Sequence, residues 1–219
     1  MKTGILFDLD GTLLDTLEDL LDASNYALRR HGYPERTLTE LRSFVGNGAR
    51  NQIRLCVPEG EDPEPVLKTY QEYYPTHCCV KTKPYARIRE ALEEIGKQYP
   101  VAIVSNKPDA AVKPLCEDFF PGIYALGEMP GIPRKPAPDM VYAAMEAIGA
   151  DRCVYVGDSE VDVRTARNAG ALCLSVTWGF RDREQLEEAG ADRFCHDPAQ
   201  LPDAIRLILE TEELKRNGQ

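Results

Sequence analysis

Short apolar runs recur along the chain at residues 5–7, 101–104, 123–126, 153–156 and 171–176. Each is too short for a helix and suits a buried strand. From residue 83 onward these runs alternate with stretches of helical period at 86–98, 110–119, 139–148 and 161–169. Two further helical stretches follow at 183–189 and 198–212, with a short strand near 193–195. Strict alternation needs crossover connections, which give a parallel sheet with helices on both faces. The first run stands apart from its partners. Between them, residues 15–82 carry helical spacing, as in Leu17, Leu20, Leu21, Ala27 and Leu28, and no strand pattern. Helices are expected up to His31-Gly32, from about 39 to 45, from 51 to 57 and from 66 to 78. The expected fold is α/β: a doubly wound parallel-sheet (Rossmann-like) core in two segments, 1–14 and 83–219, with an inserted all-helical cap subdomain at 15–82.

Charge and cysteine usage narrow the function. A formal net charge of −10 argues against sequence-independent nucleic-acid binding and against an anionic membrane surface. No apolar run approaches the ~20 residues of a spanning helix. The first three residues lead straight into a strand, so no secretory leader is expected. The seven cysteines are scattered without a Cys-x-x-Cys pair. Cys78 and Cys79 are adjacent, which is poor geometry for a bridge, and Cys56, Cys116, Cys153, Cys173 and Cys195 read mainly as small buried hydrophobes in a reducing cytoplasm. The three histidines lie far apart, without metal-ligand spacing.

The chemistry begins where the first run ends, at Asp8-Leu9-Asp10-Gly11-Thr12. In extended backbone, positions i and i+2 point the same way, so Asp8 and Asp10 project together. Ligands of open α/β sheets bind at the carboxyl ends of the strands. Two adjacent like charges ask for a cation, a shared proton or a substrate. Other strand ends should deliver polar groups to the same edge. Ser105 follows the second run and would alone pass for a turn serine. Lys135 is held between Pro133 and Pro136, which restrict the backbone around it. Asp158 sits at the tip of the fourth run, and Asp162 is one helical turn further. The four carboxylates Asp8, Asp10, Asp158 and Asp162 form a hard-oxygen set that points to Mg²⁺, bound through a few carboxylates together with substrate phosphate.

In order and context these pieces resemble the motifs of the haloacid dehalogenase superfamily. Asp8-Leu9-Asp10-Gly11-Thr12-Leu13 resembles its first motif, Ser105 its second, Lys135 its third and Gly157-Asp158-Ser159-x-x-Asp162 its fourth. The helical insert is similar to the cap of the first subclass. The resemblance implies an enzyme that transfers a phosphoryl group. Asp8 would be the nucleophile and Asp10 the proton donor and acceptor. Ser105 and Lys135 would hold the phosphoryl oxygens, with Gly11, which permits the tight turn, and Thr12 beside them as substrate-binding residues. Mg²⁺ would sit on Asp8, the Asp10 carbonyl and Asp158, with Asp162 behind them orienting a metal-bound water or Lys135.

Substrate choice is expected from the insert. Gly46-Asn47-Gly48 precedes a helix, where backbone N–H groups can approach an anion, and Arg50 could grip a carboxylate. This stretch resembles the cap loop of phosphoglycolate phosphatases; Ser105-Asn106-Lys107-Pro108 and Thr177-Trp178-Gly179-Phe180 also resemble that subgroup, and the former adds Asn106 to the binding set. Arg181 is either another cation at the rim or a solvated loop residue. The expected partner is a small phosphorylated metabolite, here 2-phosphoglycolate, and the expected state a cytoplasmic monomer or homodimer. Pyrophosphatase, sugar-phosphate phosphatase, nucleotidase and phosphosugar mutase activities share the same core motifs. A non-enzymatic phospho-aspartate switch is the reading from another class.

Overall fold

The computed structural model describes residues 1–217. Strand β1 (Thr3–Phe7) leads to a two-residue strand β2 (Leu14–Asp15). Four helices follow: α1 (Leu17–Arg30), α2 (Leu38–Phe44), α3 (Gly48–Cys56) and α4 (Glu64–Tyr73). Strand β3 (Lys83–Pro84) then pairs antiparallel with β2. Beyond it run α5 (Ile88–Gly96), β4 (Val101–Pro108), α6 (Asp109–Phe119), β5 (Tyr124–Glu128), α7 (Asp139–Ile148) and β6 (Arg152–Gly157). The chain continues with α8 (Glu160–Ala169), β7 (Leu172–Val176), α9 (Arg183–Glu188), β8 (Phe194–Cys195) and α10 (Leu201–Asn217).

Six strands form one parallel sheet in the order β5-β4-β1-β6-β7-β8. Strand β1 lies in the interior of the sheet and all five of its residues are buried, as parallel strands covered on both faces require. Its side chains alternate between two cores. Ile5 and Phe7 belong to the cluster that also holds residues of the insert and of α5, α6 and α10, whereas Leu6 joins the cluster with α7 and α8. The chain thus folds as an α/β doubly wound sheet with an all-helical insertion.

Register brings the chemistry together. Phe7 pairs with Ile103 of β4 and with Val156 of β6. Phe7, Ile103 and Val156 are therefore level, and the residues that follow them share one edge.

Three details differ from the sequence reading. Asp15 lies in the β2–β3 ladder, although a wholly helical stretch was expected from that residue on. The helix expected over 66–78 ends at Tyr73 and tightens into a 3₁₀ turn, Tyr74–Thr76. Strand β4 runs four residues past Val104, with a register irregularity before Pro108. Pro108 disfavours helical backbone at Lys107, and the side chain of Asn106 is tied to the main chain of Lys135 on both sides. These restraints hold extended a segment that reads as a turn.

Candidate active site

Asp8 follows β1 directly and is nearly buried. Its Oδ1 accepts from the Leu9 amide at 2.7 Å and lies 2.9 Å from Lys135 Nζ. Lys135 also donates to Asp162 Oδ1 at 2.8 Å and to the Tyr155 hydroxyl at 3.0 Å. The Tyr155 hydroxyl in turn donates to the Val104 carbonyl. Asp162 is held from its other oxygen by the Ser159 amide and hydroxyl, at 3.0 and 2.6 Å, the capping box that starts α8. One residue therefore caps a helix and anchors the site lysine.

Asp158 stands at the tip of β6. Thr12 Oγ1 donates to its Oδ1 at 2.9 Å and the Phe180 amide to its Oδ2 at 2.8 Å. Gly11 makes this approach possible. It has φ +84°, and a Cβ there would lie 2.3 Å from Asp158 Oδ2, so any larger residue meets both strain and a clash.

The electrostatics are unbalanced. Asp8, Asp158 and Asp162 place carboxylate oxygens within 4.8 Å of one another, against the single ammonium of Lys135. Burial, then the charge of Asp162, pushes the Asp8 carboxyl well above its usual range, although Lys135 pulls it back. Burial and Asp162 push Asp158 up to about 7, against the hydrogen bonds from Phe180 and Thr12. Burial alone would lower the Lys135 ammonium, but Asp162 and Asp8 outweigh it and hold it well above its ordinary value. Three buried carboxylates with one fixed cation leave a deficit of about two positive charges, the charge of one divalent ion. The donor set is all oxygen, which fits a hard cation such as Mg²⁺.

Asp10 projects from the same edge and bonds Lys107 Nζ through both oxygens, at 2.8 and 3.1 Å. Lys107 is 5% exposed, and its ammonium also lies 4.8 Å from the centre of the Tyr74 ring. The sequence reading missed Lys107 as a site residue. The available signal was its spacing of two from Ser105, which aligns their side chains once β4 is extended to Pro108.

A cleft of about 30 Å³ separates this edge from the insert. Asp8, Asp10, Ser105 and Lys107 line it on one side, Gly46, Gly48, Gln52 and Tyr70 on the other. Arg181, left open by the sequence between rim cation and solvated residue, is 6% exposed. It pairs with Glu160 at 2.8 Å and donates to the carbonyls of Arg42 and Val45, both at 2.7 Å. Arg42 reciprocates, donating to the carbonyls of Phe180 and Gly179 at 2.8 and 3.1 Å. These bonds latch the loop before Gly46 to the sheet edge.

Several expected binding residues are placed elsewhere. Arg50 is exposed and pairs with Glu64; it does not line the cleft, because α3 begins at Gly48 and turns it outward. Asn47 does not line the cleft either. Thr12 is fully buried and its hydroxyl is committed to Asp158. Gly11 likewise serves the approach to Asp158. Asn106 lines the cleft, but its amide is occupied by Lys135 O and N at 3.0 and 2.9 Å, and by the Gly46 carbonyl at 3.3 Å.

A parallel α/β sheet with an acidic cluster and a buried lysine at its carboxyl edge, roofed by a helical insert, defines a class of hydrolase. The family profile of haloacid dehalogenase-like hydrolases matches residues 5–176, and the chain belongs to that family. Its curated relatives make it a phosphoric monoester hydrolase. It is 35% identical to the phosphoglycolate phosphatase of Rhodobacter capsulatus, over 94% of this chain and 97% of that one. It is 30% identical to the phosphoglycolate phosphatase of Pseudomonas syringae pv. tomato, over 94% and 78%. A crystal structure from Lactobacillus delbrueckii subsp. bulgaricus, described provisionally as a phosphoglycolate phosphatase, superposes with a TM-score of 0.88 at 36% identity, over 94% and 99% of the two chains. Among the described residues no helix is long and apolar enough to cross a membrane.

Proposed function

We propose that this enzyme is a Mg²⁺-dependent phosphatase that hydrolyses 2-phosphoglycolate to glycolate and phosphate through a phosphoaspartate. The observation that carries the reading is the position of Asp8 and Asp10 on one wall of the cleft, with Lys135 2.9 Å from Asp8. Asp8 is the nucleophile: its carboxylate oxygen bonds to phosphorus as the ester P–O bond breaks. Asp10 gives its proton to the departing oxygen, releasing the alcohol. It then takes a proton from water, which attacks phosphorus, breaks the bond to Asp8 and frees phosphate. Lys135, fixed by Asp162 and Tyr155, neutralises phosphoryl charge. Ser105 lines the same wall and holds a phosphoryl oxygen. Asp8 and Asp158 are the residues that would hold Mg²⁺, with the Asp10 carbonyl, while Asp162 stands behind them on Lys135. When bound, the ion supplies charge neutralisation between carboxylates and phosphate.

At about 30 Å³ the cleft has room for roughly two or three waters, less than any phosphate ester needs, so the helical cap has to open for entry. The relatives named above are phosphoglycolate phosphatases, which favours the same substrate here. The test is a panel of phosphate monoesters with Mg²⁺, ranked by kcat/KM. The expected result is 2-phosphoglycolate at the head. A sugar phosphate or nucleotide at the head refutes the substrate. A single stoichiometric phosphorylation without turnover refutes the enzyme.

A further inference from the structure

We infer that Lys107 is the specificity-determining residue of this enzyme: it binds a carboxylate on the leaving group, and in doing so releases Asp10 for proton transfer. The inference rests on the phosphatase reading above and goes beyond it to the substrate class and the means of selection.

Among the described residues lining the cleft, Lys107 carries the only positive charge. Lys135 is committed to Asp8, Asp162 and Tyr155 on the phosphoryl side. Arg50 faces Glu64 on the outer surface, and Arg181 is consumed by Glu160 and main-chain carbonyls. A leaving group that carries its own negative charge would otherwise enter a cleft walled by Asp8, Asp10 and uncharged groups. Burying such a charge without a partner is prohibitive.

The position of Lys107 is as telling as its charge. Its ammonium is within hydrogen-bond distance of both Asp10 oxygens, at 2.8 and 3.1 Å. Asp10 touches the ester oxygen in the reaction. A carboxylate one methylene from that oxygen therefore falls beside the ammonium that now holds Asp10. One cation cannot serve both carboxylates equally at short range, so the substrate competes with Asp10 for Lys107. When the substrate wins, the ammonium keeps a charged partner and the Asp10 oxygens are freed to carry the proton. The Tyr74 face, 4.8 Å from Nζ, favours the cation throughout the exchange. An ester without a carboxylate leaves Lys107 on Asp10 and meets an occupied proton donor. Selection then acts on kcat as well as on KM, because the correct leaving group completes the machinery it uses.

The test compares matched pairs of esters in wild type, Lys107→Met, Lys107→Gln and Lys107→Arg. The pairs are 2-phosphoglycolate against 2-hydroxyethyl phosphate, and 2-phospholactate against its hydroxymethyl counterpart. Wild type is expected to favour the carboxylate member of each pair. In Lys107→Met and Lys107→Gln, kcat/KM for the carboxylate ester should fall about a hundredfold, while kcat for the uncharged ester rises. Lys107→Arg should keep most of the preference. Equal loss on both members would overturn the inference and make Lys107 a support for Asp10 alone. A neutral variant that retains the preference overturns it and leaves the phosphatase reading standing. A wild type that turns over esters without preference for any carboxylate member overturns the inference and the choice of 2-phosphoglycolate, and leaves the phosphatase standing. Inhibition of the wild type needs no variant to fold: glycolate should inhibit at least about tenfold more strongly than ethylene glycol, and equal inhibition overturns the inference.

Discussion

Lys135 and Asp162 form an ion pair closed to solvent on both sides, 2.8 Å apart with each side chain 1% exposed. Asp162→Asn removes half of it and also weakens the cap of α8. Breaking a buried pair on one side typically costs about 3–5 kcal/mol. The variant should unfold at clearly lower urea, and kcat should fall because Lys135 is no longer aimed. Replacing both residues, Lys135→Met with Asp162→Asn, should recover part of the stability and none of the activity. Additive losses in urea unfolding would contradict the pairing.

Asp8→Asn should abolish turnover, by at least about a thousandfold, without weakening the fold. Burial and Asp162 already disfavour charge on Asp8, so a neutral amide there relieves repulsion. Thermal unfolding of Asp8→Asn should occur at or above the wild-type temperature. Asp10→Asn should lose turnover as severely, and Lys107, deprived of its carboxylate, should make it less stable than Asp8→Asn.

The metal-free enzyme should lose stability as pH rises from 4 to 8. Asp158 has its carboxyl pushed up to about 7 in the folded protein, from an ordinary 3.8. A raised carboxyl binds its proton more tightly when folded, so its favourable contribution is complete below 3.8 and is lost as pH passes 7. The slope approaches about 1.4 kcal/mol per pH unit for one group. Mg²⁺ binding to the ionised carboxylates should reverse the loss. Melting temperatures with Mg²⁺ and with a chelator should diverge more at pH 8 than at pH 5.5; equal gaps would count against Asp158 as a ligand.

Arg181→Ala should act on cap closure. It removes the donors to Arg42 and Val45 and the partner of Glu160. KM should rise about tenfold with kcat changed less, and amide exchange over residues 42–49 should accelerate. Unchanged exchange there would mean that Arg42 alone maintains the latch.

The sheet was legible because its strands are short apolar runs separated by helical periods. Asp8, Asp10, Asp158 and Lys135 were legible because each follows a strand or sits between prolines. Lys107 was not, since its extended backbone depends on Asn106 reaching Lys135, a contact between distant segments. Thr12 looked like a ligand-binding hydroxyl because nothing local announces a partner 146 positions away. Arg50 and Arg181 exchanged apparent importance for a similar reason. A guanidinium near glycines reads as a binding group, yet its direction is set by where α3 starts, and the burial of Arg181 comes from the insert folding back over it.

The pairing of β2 with β3, Leu14 opposite Pro84 and Asp15 opposite Lys83, has a consequence for how such a molecule can change. The insert leaves and re-enters the sheet layer at one zipped junction. To β1 and β4 it is topologically no more than a hairpin. Helices can be lengthened, shortened or exchanged above that junction without altering the strand register that levels Asp8 with Asp158. The strand ends that carry the chemistry and the helices that close over them thus sit on separable parts of one chain, joined at a clasp two residues wide on each side.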